Sequence, residues 1–119
     1  MKRLLLVVFV LAAALASHAQ APQRPAAAAP AGNADAGKKL FASIGCYQCH
    51  GYEAQGSNAT GPRIGPRPMA FASFSRYVRQ PSGQMPPYTA KVVSDADLAN
   101  IYAFVQSRPE PAKEIPLLR

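Results

Sequence analysis

Apolar residues recur every three or four positions in three separate segments of this chain, which is the spacing of amphipathic helices. The first segment starts near Asn33 or Asp35, either of which can cap a helix N-terminus, and runs towards residue 44. The second spans residues 70–79, and the third follows a capping sequence at residues 94–97. The positions expected to face a core are Gly37, Leu40, Phe41 and Ile44, then Phe71, Phe74, Tyr77 and Val78, then Leu98, Ile101, Tyr102 and Val105. No segment alternates as a strand does, so we predict an all-α fold of three to four helices.

The segments between these helices carry residues that interrupt helices. Residues 51–68 and 81–90 are rich in small, polar and proline residues, and both predict loops. Pro81 directly follows the second helical pattern, and Pro109 follows the third. Because proline lacks an N–H and clashes with the preceding turn, both are expected to mark helix ends.

The N-terminus has the order of a secretory signal peptide. A basic start precedes an apolar run at residues 4–15, and small residues follow. The run is short for a membrane-spanning helix. We expect cleavage after Ala19, with Ala16 and Ala21 ending competing signatures and an uncleaved membrane anchor as the alternative. Either outcome leaves the folded part outside the cytoplasm, so we predict a periplasmic protein.

Composition divides the chain further. The four expected parts are a signal peptide at residues 1–19, an alanine- and proline-rich linker at 20–32, a folded domain at 33–108 and a proline-rich tail at 109–119. Loss of Lys2 and Arg3 with the signal peptide lowers the formal charge from +7 to +5. A domain this small builds only a marginal core unless it buries something large.

The two cysteines of the chain, Cys46 and Cys49, are separated by two residues and followed directly by His50. This spacing is typical of covalent haem attachment. Each sulfur can add to one vinyl group of the porphyrin, and the next residue then lies under the iron, where a neutral imidazole can bind. We therefore predict one covalent haem c, with its iron bound by His50. A flat, largely apolar haem would also complete the core.

The same residues have other possible uses. They could form a thiol–disulfide redox motif, half of a zinc site or a structural disulfide. Zinc needs about four ligands, and the one further histidine, His18, lies in the expected signal peptide. A thioredoxin-like dithiol would sit in a βαβ pattern, which the sequence lacks. Haem attachment is the preferred interpretation, and a dithiol or a disulfide is the alternative.

A six-coordinate iron needs a second ligand, and Met69 and Met85 are the candidates once the signal peptide is gone. Met85 precedes Pro86 in the loop between the second and third predicted helices. A residue before proline is held extended, which would project the thioether out of the loop. Met69 lies close to Phe71 and is expected to pack in the core. We predict Met85 as the distal ligand, with core filling or an open site as alternatives.

Taken together, these motifs resemble a class I c-type cytochrome, a small monohaem bacterial cytochrome c. The similarity covers residues 33–108. Its specific elements are the attachment motif at residues 46–50 and the Met-Pro-Pro-Tyr sequence at residues 85–88, which is similar to the distal methionine loop of the family. The resemblance implies a cytochrome c-like fold around one covalently bound haem.

The resemblance also implies two further contacts. The Thr-Gly-Pro-Arg-Ile segment is similar to the Gly-Pro segment of the family, in which the proline carbonyl accepts a hydrogen bond from the proximal histidine. Carried over, the carbonyl of Pro62 would orient His50. Gly37 and Phe41, set against Tyr102, resemble more loosely the crossing of the terminal helices in the family.

The expected ligand set indicates a function. Histidine and methionine together fill both axial positions of the iron, so we expect a one-electron carrier and not an enzyme. Its partners would be redox proteins, with a periplasmic dehydrogenase as donor and an oxidase or reductase as acceptor. The alternatives are the cytochrome subunit of a periplasmic dehydrogenase complex and a haem sensor with a labile distal ligand.

The basic residues of the domain could form a docking face for an acidic redox partner. They are Lys38, Lys39, Arg63, Arg67, Arg76, Arg79 and Lys91. The alternative is that they are scattered over a solvated surface. Nucleic acid is a poor explanation for the positive charge of an exported chain.

Overall fold

The computed structural model describes residues 28–112, which contain four helices. They are α1 (Ala34–Ser43), α2 (Tyr47–His50), α3 (Phe71–Arg79) and α4 (Asp95–Gln106). Residues 28–112 contain no strand, only an isolated bridge between Ser57 and Gly61. The all-α prediction is therefore confirmed. Among the described helices, none combines the length and the apolar character needed to cross a membrane.

The predicted signal peptide and its cleavage site lie outside the described residues. Of the predicted linker and the predicted tail, the structure describes only residues 28–32 and 109–112. The division of the chain into four parts therefore stays a prediction. The helices that begin and end the described fold, α1 and α4, fall within the predicted domain at residues 33–108.

The starts of α1 and α4 are fixed by local side chains, as the sequence predicts. Asn33 Oδ1 accepts a hydrogen bond from the Ala36 N–H at 2.8 Å. At α4, Ser94 Oγ accepts from the Asp97 N–H and the Asp97 carboxylate accepts from the Ser94 N–H, both at 3.1 Å, which makes a capping box. Each bond satisfies a backbone N–H that has no partner inside the helix.

A close crossing of α1 and α4 forms the centre of the fold. A Cβ atom added at Gly37 would lie 1.9 Å from the Asn100 carbonyl oxygen and 2.9 Å from Phe104 Cβ. The backbones can approach this closely only because Gly37 has no side chain. The Asn33 N–H donates to Asn100 Oδ1 at 2.8 Å and aligns the two helices.

The aromatic partner of Phe41 at this crossing is Phe104. The centroids of the two rings are 5.2 Å apart, and both side chains are almost fully buried. The expectation that Phe41 is set against Tyr102 is corrected accordingly. The reason is helical spacing: Phe41 follows Gly37 by four residues, Phe104 follows Asn100 by four, and these two ridges meet.

Tyr102 instead packs against α3. Its ring centroid lies 5.1 Å from the centroids of both Phe71 and Phe74, in edge-on arrangements. Its hydroxyl donates to the Met69 carbonyl at 3.1 Å. Helix α4 is therefore buried on two faces, one against α1 and one against α3, and it carries more buried residues than a single stripe predicts.

Ion pairs connect the loop after α2 to α1 and to the residues that follow α4. Glu53, in the loop after α2, forms ion pairs with Lys38 of α1 and with Arg108 just beyond α4. The Arg108 guanidinium also lies 4.1 Å from the ring centroid of Phe104 and donates to the Phe104 carbonyl. The hydrogen bonds that Glu53 accepts from Lys38 and Arg108 hold the pKa of its carboxyl below the usual value, and the bond from Lys38 is the largest cause. The loop is thereby tied to both helices.

Candidate haem-binding site

The attachment motif occupies a helix of its own. Helix α1 ends at Ser43, and Gly45 then takes a positive φ of 89° that redirects the chain into α2. Cys46 caps this single turn, Cys49 and His50 lie within it, and Gly51 leaves it with a φ of 74°. Because one helical turn brings residues three and four apart together, it gathers the two sulfurs and the imidazole.

The imidazole of His50 is oriented from outside its helix. Its Nδ1 lies 2.8 Å from the carbonyl oxygen of Pro62. Because a carbonyl oxygen can only accept, the Nδ1–H donates, and in the neutral imidazole the lone pair is then on Nε2. This is the contact between His50 and Pro62 that the resemblance implies. The tautomer it selects leaves Nε2 free to bind a metal.

The loop from residue 51 to residue 65 holds Pro62 in position. Thr60 Oγ1 donates to the Cys49 carbonyl at 2.8 Å, so the loop is bound directly to α2. At Gly56, where φ is 69°, an added Cβ would lie 2.2 Å from the Arg63 nitrogen. Since no side chain fits between these two parts of the loop, Gly56 lets the loop fold back on itself beside Pro62.

Two cavities open beside α2, with volumes of about 290 and 350 Å³. Four residues line both of them: His50, Pro62, Tyr77 and Met85. Cys46 lines the smaller cavity and Cys49 the larger one. The structure thus brings all five residues singled out in the sequence to one place, although His50 and Met85 are far apart along the chain.

The walls of the two cavities differ in character. The smaller cavity is lined mainly by apolar core residues of α1, α3 and α4, among them Phe41, Phe74, Leu98 and Ile101. The larger one is lined in part by polar residues, namely Thr60, Ser82 and Gln84. A space with one apolar and one polar side suits a flat, mostly apolar ring with polar substituents.

The two methionines are placed differently. Met85 is half-buried and lines both cavities, together with His50. Met69 lines only the smaller cavity, and half of its surface is exposed. Met69 is therefore less well packed than the sequence predicts. Of the two, Met85 is the one whose thioether shares the whole space with the imidazole.

The environment of Cys46 argues against its use as a redox nucleophile. Burial raises the pKa of the Cys46 thiol to about 11, so this thiol is protonated at neutral pH. Reactive cysteines of disulfide oxidoreductases have a lowered pKa instead, because the thiolate is the nucleophile. The environment of Cys46 suits a buried attachment point better than a nucleophile.

The sequence pattern misplaces one side chain next to the site. Arg79 is assigned by periodicity to the solvent face of α3, yet its side chain is only 19% exposed. It donates hydrogen bonds to the carbonyls of Tyr88 and Val93, which follow Met85 along the chain. Its partners lie in the loop and at the start of α4, not in its own helix, so no local sequence signal identifies them.

Some of the basic residues that the sequence offers for a docking face are paired with carboxylates. Three of the seven are engaged in ion pairs: Lys38 with Glu53, Arg67 with Glu110, and Arg79 with Asp95. The docking face itself stays a prediction.

Comparison with known proteins identifies the family. A family model described as cytochrome c oxidase, cbb3-type, subunit III matches residues 32–105, which include both cysteines, His50 and Met85. No curated protein and no solved structure matches the chain. The match confirms the resemblance to a class I c-type cytochrome, the cytochrome c-like fold and the haem c cofactor. Because it covers more than half of the sequence, the chain belongs to this family of c-type cytochrome domains, which carry covalent haem c and serve haem-based electron transfer.

Proposed function

We propose that this protein is a periplasmic one-electron carrier in which His50 and Met85 bind the haem iron from its two sides. The observation that carries the proposal is the convergence of these two residues on the same pair of cavities, beside both cysteines. When bound, the haem supplies a one-electron iron couple, and thioether ligation favours its reduced state.

The chain itself would contribute three things. The Pro62 carbonyl holds the Nδ1–H of His50, which fixes the ring and keeps the lone pair on Nε2. The apolar wall of the smaller cavity would cover one side of the haem and limit the access of water to it. The thioether of Met85 would be the second protein ligand of the haem iron and would leave no site there for a substrate. A carrier is therefore favoured over an enzyme.

The location and the partners follow from separate arguments. The signal-like order of residues 1–19 and the covalent attachment of the haem both favour the periplasm. Members of a cytochrome family exchange electrons with redox proteins. For this chain we expect a periplasmic dehydrogenase as donor and an oxidase or reductase as acceptor.

Absorption spectra of the oxidised and reduced holoprotein test the axial ligands. The oxidised protein should show the weak far-red band of a sulfur–iron bond. Met85→Ala should abolish this band, whereas Met69→Ala should leave it in place. Met69 is the matched control because it is the same residue type and lines the smaller cavity too. Loss of the band in Met69→Ala, with retention in Met85→Ala, would overturn the assignment.

A second function is that of a cytochrome subunit in a larger complex, including a periplasmic dehydrogenase complex. One observation favours it: the matching family is described as a subunit of an oxidase. Gel filtration of the native protein separates the two functions: a monomer supports the carrier, and co-elution with a redox enzyme supports the subunit.

A further inference from the structure

The loop that carries Met85 depends on its two ends for its position. It connects α3 to α4 and takes a positive φ of 84° at Gly83. Within residues 28–112, the central part of this loop, residues 83–87, makes no hydrogen bond with the rest of the chain. The location of the Met85 side chain is therefore decided by the anchors on either side of it.

Helix α3 supplies both anchors from its last turns. Three residues before Met85, the Ser82 carbonyl accepts a hydrogen bond from the Tyr77 hydroxyl at 2.8 Å. Three residues after Met85, the Tyr88 N–H donates to the Val78 carbonyl at 3.0 Å. The loop is thus held at two points, three residues before Met85 and three residues after it along the sequence.

Arg79 fixes the second anchor. Its Nη1 donates to the Tyr88 carbonyl at 3.0 Å and to the Val93 carbonyl at 2.7 Å. Its Nη2 donates to Asp95 Oδ1, in the first turn of α4, at 2.7 Å. Charge-assisted bonds of this kind are the strong ones, and the planar guanidinium can make several of them at once.

We propose that Arg79 is a positioning residue for the distal ligand: it binds the chain that follows Met85 and so keeps the thioether in the haem site. The inference rests on the proposed ligation by Met85. Arg79 lines neither cavity, so it acts only through the loop. Without the guanidinium, two loop carbonyls lose their donor, and the loop should open more often.

The test uses the holoprotein with Arg79→Gln and two controls. Arg76→Gln removes the same charge from the same helix, at an exposed residue. Arg108→Gln removes a half-buried arginine that binds Glu53 and the Phe104 carbonyl, away from the distal loop. The first control accounts for charge, and the second accounts for a general loss of stability.

Three measurements report on the loop. They are the intensity of the sulfur–iron band, the rate of carbon monoxide binding to the reduced protein and the hydrogen exchange of the Tyr88 amide. For Arg79→Gln we expect a weakened band and, on the scale of a charge-assisted hydrogen bond, at least about tenfold faster carbon monoxide binding and amide exchange. Both controls should stay within about twofold of the wild type, a change of under 0.5 kcal/mol.

A second substitution covers the case in which Arg79→Gln fails to fold. Arg79→Lys keeps the charge and the aliphatic stem, but one ammonium group cannot replace the fork that bridges two carbonyls and a carboxylate. It should shift all three measurements in the same direction by a smaller factor.

The outcomes separate this inference from the proposed function. If the wild type shows the sulfur–iron band and Met85→Ala loses it, Met85 is the ligand. Arg79 variants that then behave like Arg76→Gln, or an Arg108→Gln protein that changes as much as they do, would overturn the positioning role. If the spectrum of Met85→Ala is the same as that of the wild type, ligation by Met85 is refuted instead.

Discussion

Replacing Gly37 by alanine tests the close crossing of α1 and α4. Two opposing effects are expected. Alanine is a better helix former than glycine by about 1 kcal/mol. Against this, the new methyl group would lie 1.9 Å from the Asn100 carbonyl oxygen, which is backbone and cannot rotate away. The helices must separate, and this also loosens the contact between the Phe41 and Phe104 rings.

The magnitude follows from comparing the two effects. Overpacking of a core usually destabilises by about 1–3 kcal/mol, and a backbone clash belongs at the upper end of that range. After subtraction of the propensity gain, the net loss is about 2 kcal/mol. For a domain of this size it lowers the melting temperature by about 8–16 °C.

Thermal unfolding of the holoprotein, followed by far-ultraviolet circular dichroism, measures this change. Ala42→Gly is the matched control, because Ala42 is an exposed residue of the same helix and reports on propensity alone. It should destabilise by about 1 kcal/mol. A Gly37→Ala protein as stable as the wild type, or more stable, would show that propensity dominates and that the crossing is not close.

Three further changes have expected outcomes. Tyr102→Phe keeps both ring contacts but removes the hydroxyl bonded to the Met69 carbonyl, so denaturant unfolding should show a loss of about 0.5–1.5 kcal/mol; no loss would mean that the bond is absent in solution. Ion pairing lowers the pKa of Glu53 in the folded state, and its stabilising effect is therefore present above the ordinary value of 4.5 and lost as the pH falls through the lowered one. The difference in melting temperature between wild type and Glu53→Gln should therefore shrink below pH 4.5. A difference that grows below this pH would contradict the reasoning. Replacing both Cys46 and Cys49 by serine should give a protein that loses all pigment to acid–acetone, whereas the wild type keeps it; retention of pigment by the variant would rule out thioether attachment.

The haem also accounts for the architecture of so small a domain. The buried side chains of α1 and α4 pack directly against each other, yet Leu98 and Ile101 of the same core also face the smaller cavity. A domain of this size gains little from burial of its own side chains alone. Because c-type cytochrome domains carry their haem covalently, an apolar group that remains attached can complete this part of the core.

Features that depend on neighbours along the chain could be predicted from the amino-acid sequence alone. The caps at Asn33 and Ser94 are such features, because a side-chain oxygen reaches N–H groups only two or three residues away. The attachment motif is another, since two cysteines and His50 within five residues are gathered by a single helical turn. The helical periodicity gave the fold class for the same reason.

Features that depend on how the helices pack could not be predicted in this way and are seen only in the folded chain. Helical spacing marks Phe41 as buried but does not select Phe104 as its partner, because the choice depends on the angle and register of the crossing. It likewise assigns Arg79 to the polar face of α3, although the loop that returns over the helix covers this residue. Periodicity describes one helix in isolation, whereas burial and partner choice arise from surfaces that distant parts of the chain bring together.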